Sequence, residues 1–118
     1  MKYLSKKQRA YRFNCLLKLA SKKPHLELLS DHNLFIIAEF LFNVVTNTLN
    51  LNKKQLFRAR KILLPHKKCI TKICNRGNNS NGILKHSLHS NPQFGGAILS
   101  LLSSFAPLLI SLISGLTQ

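Results

Sequence analysis

Apolar residues recur at helical spacing through most of the chain. Between Ser5 and Ser21, basic residues are interleaved with the apolar Ala10, Phe13, Leu16, Leu17 and Ala20. This predicts an amphipathic helix with Ser5 as its N-cap. Pro24 suits the first turn of a short second helix, PHLELLS. Asp31 can cap a third, roughly 32–48. Its stretch LFIIAEFLFNVV is apolar nearly all round, broken only by Glu39 and Asn43. Such a helix belongs in the middle of a core or an oligomer interface. The β-branched and aromatic content also suits a buried strand, but the length favours helix.

After the connector LNLNKK, the stretch from Lys53 to Cys74 is amphipathic again. Leu56, Ala59, Leu63, Ile70 and Ile73 lie near one side, and Lys54, Arg58, Lys61, Lys68, Lys72 and Arg76 near the other. Pro65 interrupts this pattern on its basic side and should kink or split the helix. NRGNNSNG, from Asn75 to Gly82, carries every turn signal. The polar, His-bearing stretch that follows to Phe94 reads as flexible.

The last segment is different. From Ala97 to Leu116, Ser100, Ser103, Ser104, Pro107, Ser111 and Ser114 form a stripe about 100° wide on a helical wheel; nearly everything else is Leu, Ile, Phe or Ala. A helix of about 20 residues is about 30 Å long, the thickness of a bilayer's hydrocarbon core. The wide apolar face favours a membrane-active helix wedged into one leaflet, bent at Pro107. A spanning anchor and packing onto the rest of the protein are the alternatives.

Charge sharpens the contrast. The 118 residues hold 18 Lys and Arg against 3 Asp and Glu, a formal net charge of +15. The acids, Glu27, Asp31 and Glu39, share one short window. Basic residues flank it, from Lys2 to Lys23 and from Lys53 to Lys85. That balance predicts an anionic partner, either nucleic acid or an acidic membrane surface. Cys15, Cys69 and Cys74 are too few and too scattered for a disulfide scaffold and fit a reducing compartment. No signal peptide is expected, because no apolar run follows the basic start.

Three carboxylates cannot supply a two-metal site plus a general base, and no phosphate-cradling glycine loop is present. The chain does not read as an enzyme. Cys69, Cys74, His86 and His89 give C-x4-C-x11-H-x2-H, with His66 just upstream. The histidine gap is shorter than in zinc fingers, and the finger core is missing. The cysteines read as small apolar fillers, with no metal or cofactor expected. The basic helices lack base-reading motifs, so binding to duplex DNA should be independent of sequence. Lys6 to Arg9, KKQR, would serve as a nuclear import signal.

LLPHKKCITKICN, a polar spacer, then FGGAILSLLSSFAPLLISLISGL resembles the small core-protein-X-like proteins of adintoviruses, the animal Maverick/Polinton-related viruses. More distantly it is similar to the adenovirus core protein X (mu) precursor. That protein also runs from a basic segment through Gly-Gly into a hydrophobic tail. LFIIAEFLFNVVTNTLNLNKKQLFRARK looks like the family's central segment, and the resemblance spans about residues 16–116. It implies a virion core protein that condenses or bridges viral DNA and acts in the host nucleus during assembly. In the adenovirus protein the Gly-Gly pair ends a maturation-protease site; carried over, Gly95 and Gly96 precede a cut before Ala97. Gln93 stands where such sites usually carry Met, Ile or Leu, and the basic stretch is Lys-rich rather than Arg-rich.

The expected architecture is all-α: a basic helical domain over 1–76, a flexible linker over 77–96 and a hydrophobic tail helix over 97–118. Lys54, Arg58, Lys61, Lys67, Lys68, Lys72 and Arg76 are the expected DNA-phosphate contacts, with Lys6, Lys7, Arg9 and Arg12 as a secondary basic group. Leu99, Leu102, Phe105, Leu109, Leu112, Ile113 and Leu116 would meet an acidic membrane or a capsid protein, and oligomerisation is left open. A small basic membrane protein and a non-enzymatic capsid assembly factor are the competing functions.

Overall fold

A computed structural model describes residues 5–47, 49, 51–75 and 80–117. Among these residues the chain is all-helical, in the order α1 (Lys6–Lys22), α2 (Asp31–Val45), α3 (Lys53–Leu63), α4 (Lys67–Asn75), α5 (Ser80–Ser90), α6 (Pro92–Ser104) and α7 (Ala106–Thr117), with single 3-10 turns at Leu26–Leu28 and Leu64–His66.

Local chemistry sets most of the boundaries. Ser5 caps α1: its Oγ accepts from the Gln8 N–H at 3.2 Å while Gln8 Oε1 accepts from the Ser5 N–H at 3.0 Å. Lys23 ends α1 in the left-handed region, φ 48°, and Pro24 follows. The expected helix after Pro24 is only the 3-10 turn. Ser30, rather than Asp31, caps α2 by accepting from the Asn33 N–H at 3.3 Å. Asp31 occupies the first turn, where its charge complements the helix dipole. α2 ends at Val45; Thr48, its expected end, lies outside the described residues.

α2 is the central helix. Leu34, Ile36, Ile37, Ala38, Phe40, Leu41 and Val44 are all buried, as its near-uniform apolarity predicts. It touches α1, α4 and α5. α4 and α5 also pack on each other, and α6 and α7 lie along α1.

Two expectations about the C-terminal part are corrected. Ser80–Ser90 is helical, not a flexible linker. Leu84 and Leu88, one turn apart, are buried together with Ser87, and the helix packs on α2 and α4. A polar sequence with one well-placed apolar pair has found a hydrophobic surface to cover. Arg76, the end of the expected basic domain, and residues 77–79 of the expected linker lie outside the described residues.

The tail is not one helix from Ala97. It starts at Pro92, breaks at Phe105 and turns by 55°. Pro107 has no N–H to bond a preceding turn. The break at Phe105 puts it in the first turn of α7, where none is needed. Leu109 N–H then donates to the Phe105 carbonyl at 2.9 Å. Phe105 is buried at the corner, its ring edge-on to Phe40 of α2 at 6.4 Å between centroids. Phe94, Ile98, Leu101, Leu102 and Leu109 are buried with it. The serine stripe faces outward: Ser100, Ser103, Pro107, Ser111 and Ser114 are exposed and Ser104 half-buried. A Cα radius of gyration of 13.3 Å matches the roughly 13.5 Å of a folded chain of this length. The tail is part of the core.

Two substitutions test this packing in opposite directions. Phe105→Ala should cost about 3–5 kcal/mol, because it empties the corner where α2, α6 and α7 meet. Gly96→Ala should stabilise by about 0.5–1 kcal/mol, since a Cβ there meets nothing within 4 Å and the residue is helical and exposed. Denaturant unfolding of the full chain measures both. A neutral Phe105→Ala would mean that the tail does not pack on the core.

Candidate nucleic-acid interface

The basic side of the chain is built on α3 and α4. Asn52 starts α3 with a second capping box: its Oδ1 accepts from the Gln55 N–H at 2.9 Å and Gln55 Oε1 accepts from the Asn52 N–H at 3.0 Å. Ala59 and Leu63 of α3, and Ile70 and Ile73 of α4, point into the core. At about 100° per residue, this leaves the opposite arc of each helix to solvent. Lys53, Lys54, Arg58, Arg60 and Lys61 occupy the exposed arc of α3, and Lys67, Lys68 and Lys72 that of α4.

Pro65 divides the two helices, as expected, and lies exposed in the 3-10 turn between them. The corner is fastened from inside. His66 is buried, its ring 5.3 Å from that of Phe94, and its Nδ1 lies 3.4 Å from Asn91 Nδ2. Asn91 and Phe94 sit at the start of α6, so the C-terminal helices hold the hinge of the basic pair.

All the expected phosphate-contacting residues within the described chain are exposed: Lys54, Arg58, Lys61, Lys67, Lys68 and Lys72. Arg76 lies outside the described residues, as does Lys2. Lys53 and Arg60 join the exposed set; the wheel that selected Arg58 and Lys61 already placed them outside the buried arc. Phe57, 70 % exposed, sits in the middle of the basic arc of α3, a position that an amphipathic pattern does not anticipate.

The secondary group divides. Lys6 and Lys7 are exposed and Arg9 is half-buried. Arg12 is not a surface cation available for phosphate: its guanidinium pairs with the Glu39 carboxylate of α2 and lies 5.3 Å from the centre of the Phe35 ring. α1 packs on α2, and Arg12 lies on the inner side of that contact. Burial pushes the Glu39 carboxyl above its ordinary 4.5; the Arg12 charge and hydrogen bond oppose this without cancelling it.

Of the tail residues expected to meet a membrane or partner, Leu102, Phe105 and Leu109 are buried, and Leu99, Leu112, Ile113 and Leu116 are half-buried. Gly95, Gly96 and Ala97 lie inside α6. Among the described residues no group of three or more His, Cys, Asp or Glu side chains is gathered to hold a metal. Comparison with protein-family models, with curated proteins and with solved structures returned no match.

The Arg12–Glu39 pair carries a pH signature. The folded state holds the Glu39 proton more tightly than the unfolded chain does. The stability from this group is therefore complete below about pH 4.5 and is lost as pH rises through the elevated value. Arg12→Met removes the opposing charge, raises that value further and should steepen the decline as pH rises above the ordinary carboxylate range. Denaturant midpoints across this rise for the wild type and the variant measure it. Parallel profiles would show that the pair does not couple to folding.

Proposed function

We propose that this protein binds duplex DNA through its phosphates, without reading sequence, and condenses or bridges it as a core protein of a virus particle. One observation carries the DNA reading. Eight exposed cations, Lys53, Lys54, Arg58, Arg60, Lys61, Lys67, Lys68 and Lys72, stand on two consecutive helices, whereas every acid of the chain lies before residue 40. Long cationic side chains on rigid helices can follow a phosphate backbone together. Lys6 and Lys7 on α1 supply a second basic group, and two groups on one body permit bridging between duplexes. The virion and nuclear assignments rest on the resemblance to adintovirus core-protein-X-like proteins. No catalytic role is proposed.

A second reading, contact with an acidic membrane through α6 and α7, has one observation in its favour. No single helix among the described residues is long and apolar enough to cross a bilayer, but α6 and α7 together reach that length and composition across their 55° bend. For this the pair must leave α1, exposing Ile98, Leu101 and Leu102, which are now buried. A capsid protein would have to reach the same surfaces.

The full-length chain should bind unrelated duplexes with equal affinity. With about eight phosphates neutralised, log K against log salt should have a slope of about −7. Charge reversal at Lys54, Arg58, Lys68 and Lys72 should weaken binding more than reversal at Lys6, Lys7 and Arg9. Equal losses from the two sets, or a flat salt dependence, would contradict the interface. Tighter binding to anionic vesicles than to DNA at the same salt would favour the membrane reading.

A further inference from the structure

Beside the basic arc lies a feature that phosphate binding does not require. The end of α2, the length of α3, the 3-10 turn and the start of α4 enclose an open groove of about 790 Å³. Its apolar lining includes Val44, Val45, Phe57, Leu63, Leu64 and Ile70. Three of these are unusually exposed for their type: Val45 at 52 %, Phe57 at 70 % and Leu64 at 69 %. Scattered exposed apolar residues are ordinary, but three around one concavity form a patch. The rim is cationic: Arg60 and Lys61 come from α3 and Lys67 from α4, and no acidic residue lines the groove.

We infer that this groove is a docking site for an acidic amphipathic segment of a partner protein, bound as a helix with its apolar side chains in the groove and its carboxylates against Arg60, Lys61 and Lys67. The combination of lining and rim selects this occupant. Duplex DNA presents phosphates to the rim but keeps its apolar base faces stacked inside, so the groove would stay unfilled. Single-stranded nucleic acid binds on successive aromatic platforms; here Phe57 is the one aromatic among aliphatic walls. A bilayer surface is flat, whereas this site is concave and open along its length. A helix carrying apolar residues at i, i+3, i+4 and i+7 matches an aliphatic groove between helices, and flanking Glu or Asp matches the rim. The site shares Arg60, Lys61 and Lys67 with the DNA interface, so an acidic segment seated here also competes with phosphate for those three cations.

The test uses the full-length protein and a fluorescent synthetic peptide of about four helical turns, with Leu at i, i+3, i+4 and i+7 and Glu at most other positions. A matched peptide replaces each Leu by Ser and keeps every charge. Anisotropy titrations should show the Leu peptide binding at least about tenfold more tightly than the Ser peptide. Phe57→Ala with Leu64→Ala should abolish that difference, and Lys61→Glu with Lys67→Glu should weaken both peptides. Phe57 and Leu64 are mostly exposed, so their removal leaves the core intact; an unchanged unfolding midpoint confirms it. Equal binding of the two peptides, or an undiminished preference in the Phe57→Ala, Leu64→Ala variant, overturns the proposal. Phosphatidylserine vesicles and a single-stranded oligonucleotide form the remaining arms. If the variant loses tenfold on either while its peptide binding is unchanged, the groove belongs to that ligand and the proposal fails.

Discussion

The fold depends on burying the two apolar C-terminal helices against α1, with Phe105 between them reaching α2. A chain with this much positive charge repels itself, and one apolar helix, α2, cannot hold it together alone. α6, α7 and the corner between them add Phe94, Ile98, Leu101, Leu102, Phe105 and Leu109 to the core. Phe105, at the corner between them, meets Phe40 of α2 edge to face, and Leu101, Leu102 and Leu109 are buried in the same core. Pro107 makes the corner inexpensive, because it stands where a helix has no N–H to satisfy. Without the bend, a straight helix would carry the Leu/Ile face past the end of α1.

That arrangement also shapes the basic surface. The hinge between α3 and α4 is pinned through His66 to Asn91 and Phe94, at the root of α6. The apolar tail and the basic helices are therefore mechanically linked, although they are opposite in chemistry. Cations left outside this scaffold concentrate on α3 and α4. Arg12, which the packing draws inward, is used to pair Glu39 instead. The apolar groove arises where α2 ends and the α3–α4 corner turns away, leaving Phe57 and Leu64 uncovered between lysines and arginines.

Much of the helical framework was legible from residue chemistry alone. Ser5 capped α1, Pro65 divided the basic helices, and the uniform apolarity of α2 marked it as central. The serine stripe of the tail lies on one mostly exposed side, while Ile98, Leu101, Leu102, Phe105 and Leu109 of the apolar arc are buried in the fold and Ile110 stays exposed. Periodicity shows which residues share a side and says nothing of what covers that side. α5 was missed because only Leu84 and Leu88, with Ile83 beside them, signal it among polar and histidine residues. Its helix is stabilised by surfaces on α2 and α4 that are distant in sequence. The inward pairing of Arg12 was not legible, because the pattern of α1 contains no knowledge of Glu39, 27 residues away. The groove was invisible for the same reason, being assembled from three elements.

Native-state amide hydrogen exchange on the full chain tests the central claim most directly, namely that the C-terminal pair completes the core. Amides of α6 around Ile98 to Leu102 should open with the same free energy as those of α2 around Ile37 to Leu41, as members of one cooperative unit. Fast exchange throughout α6 and α7 beside a protected α2 would contradict the account, and would mean that the apolar tail is free to act elsewhere.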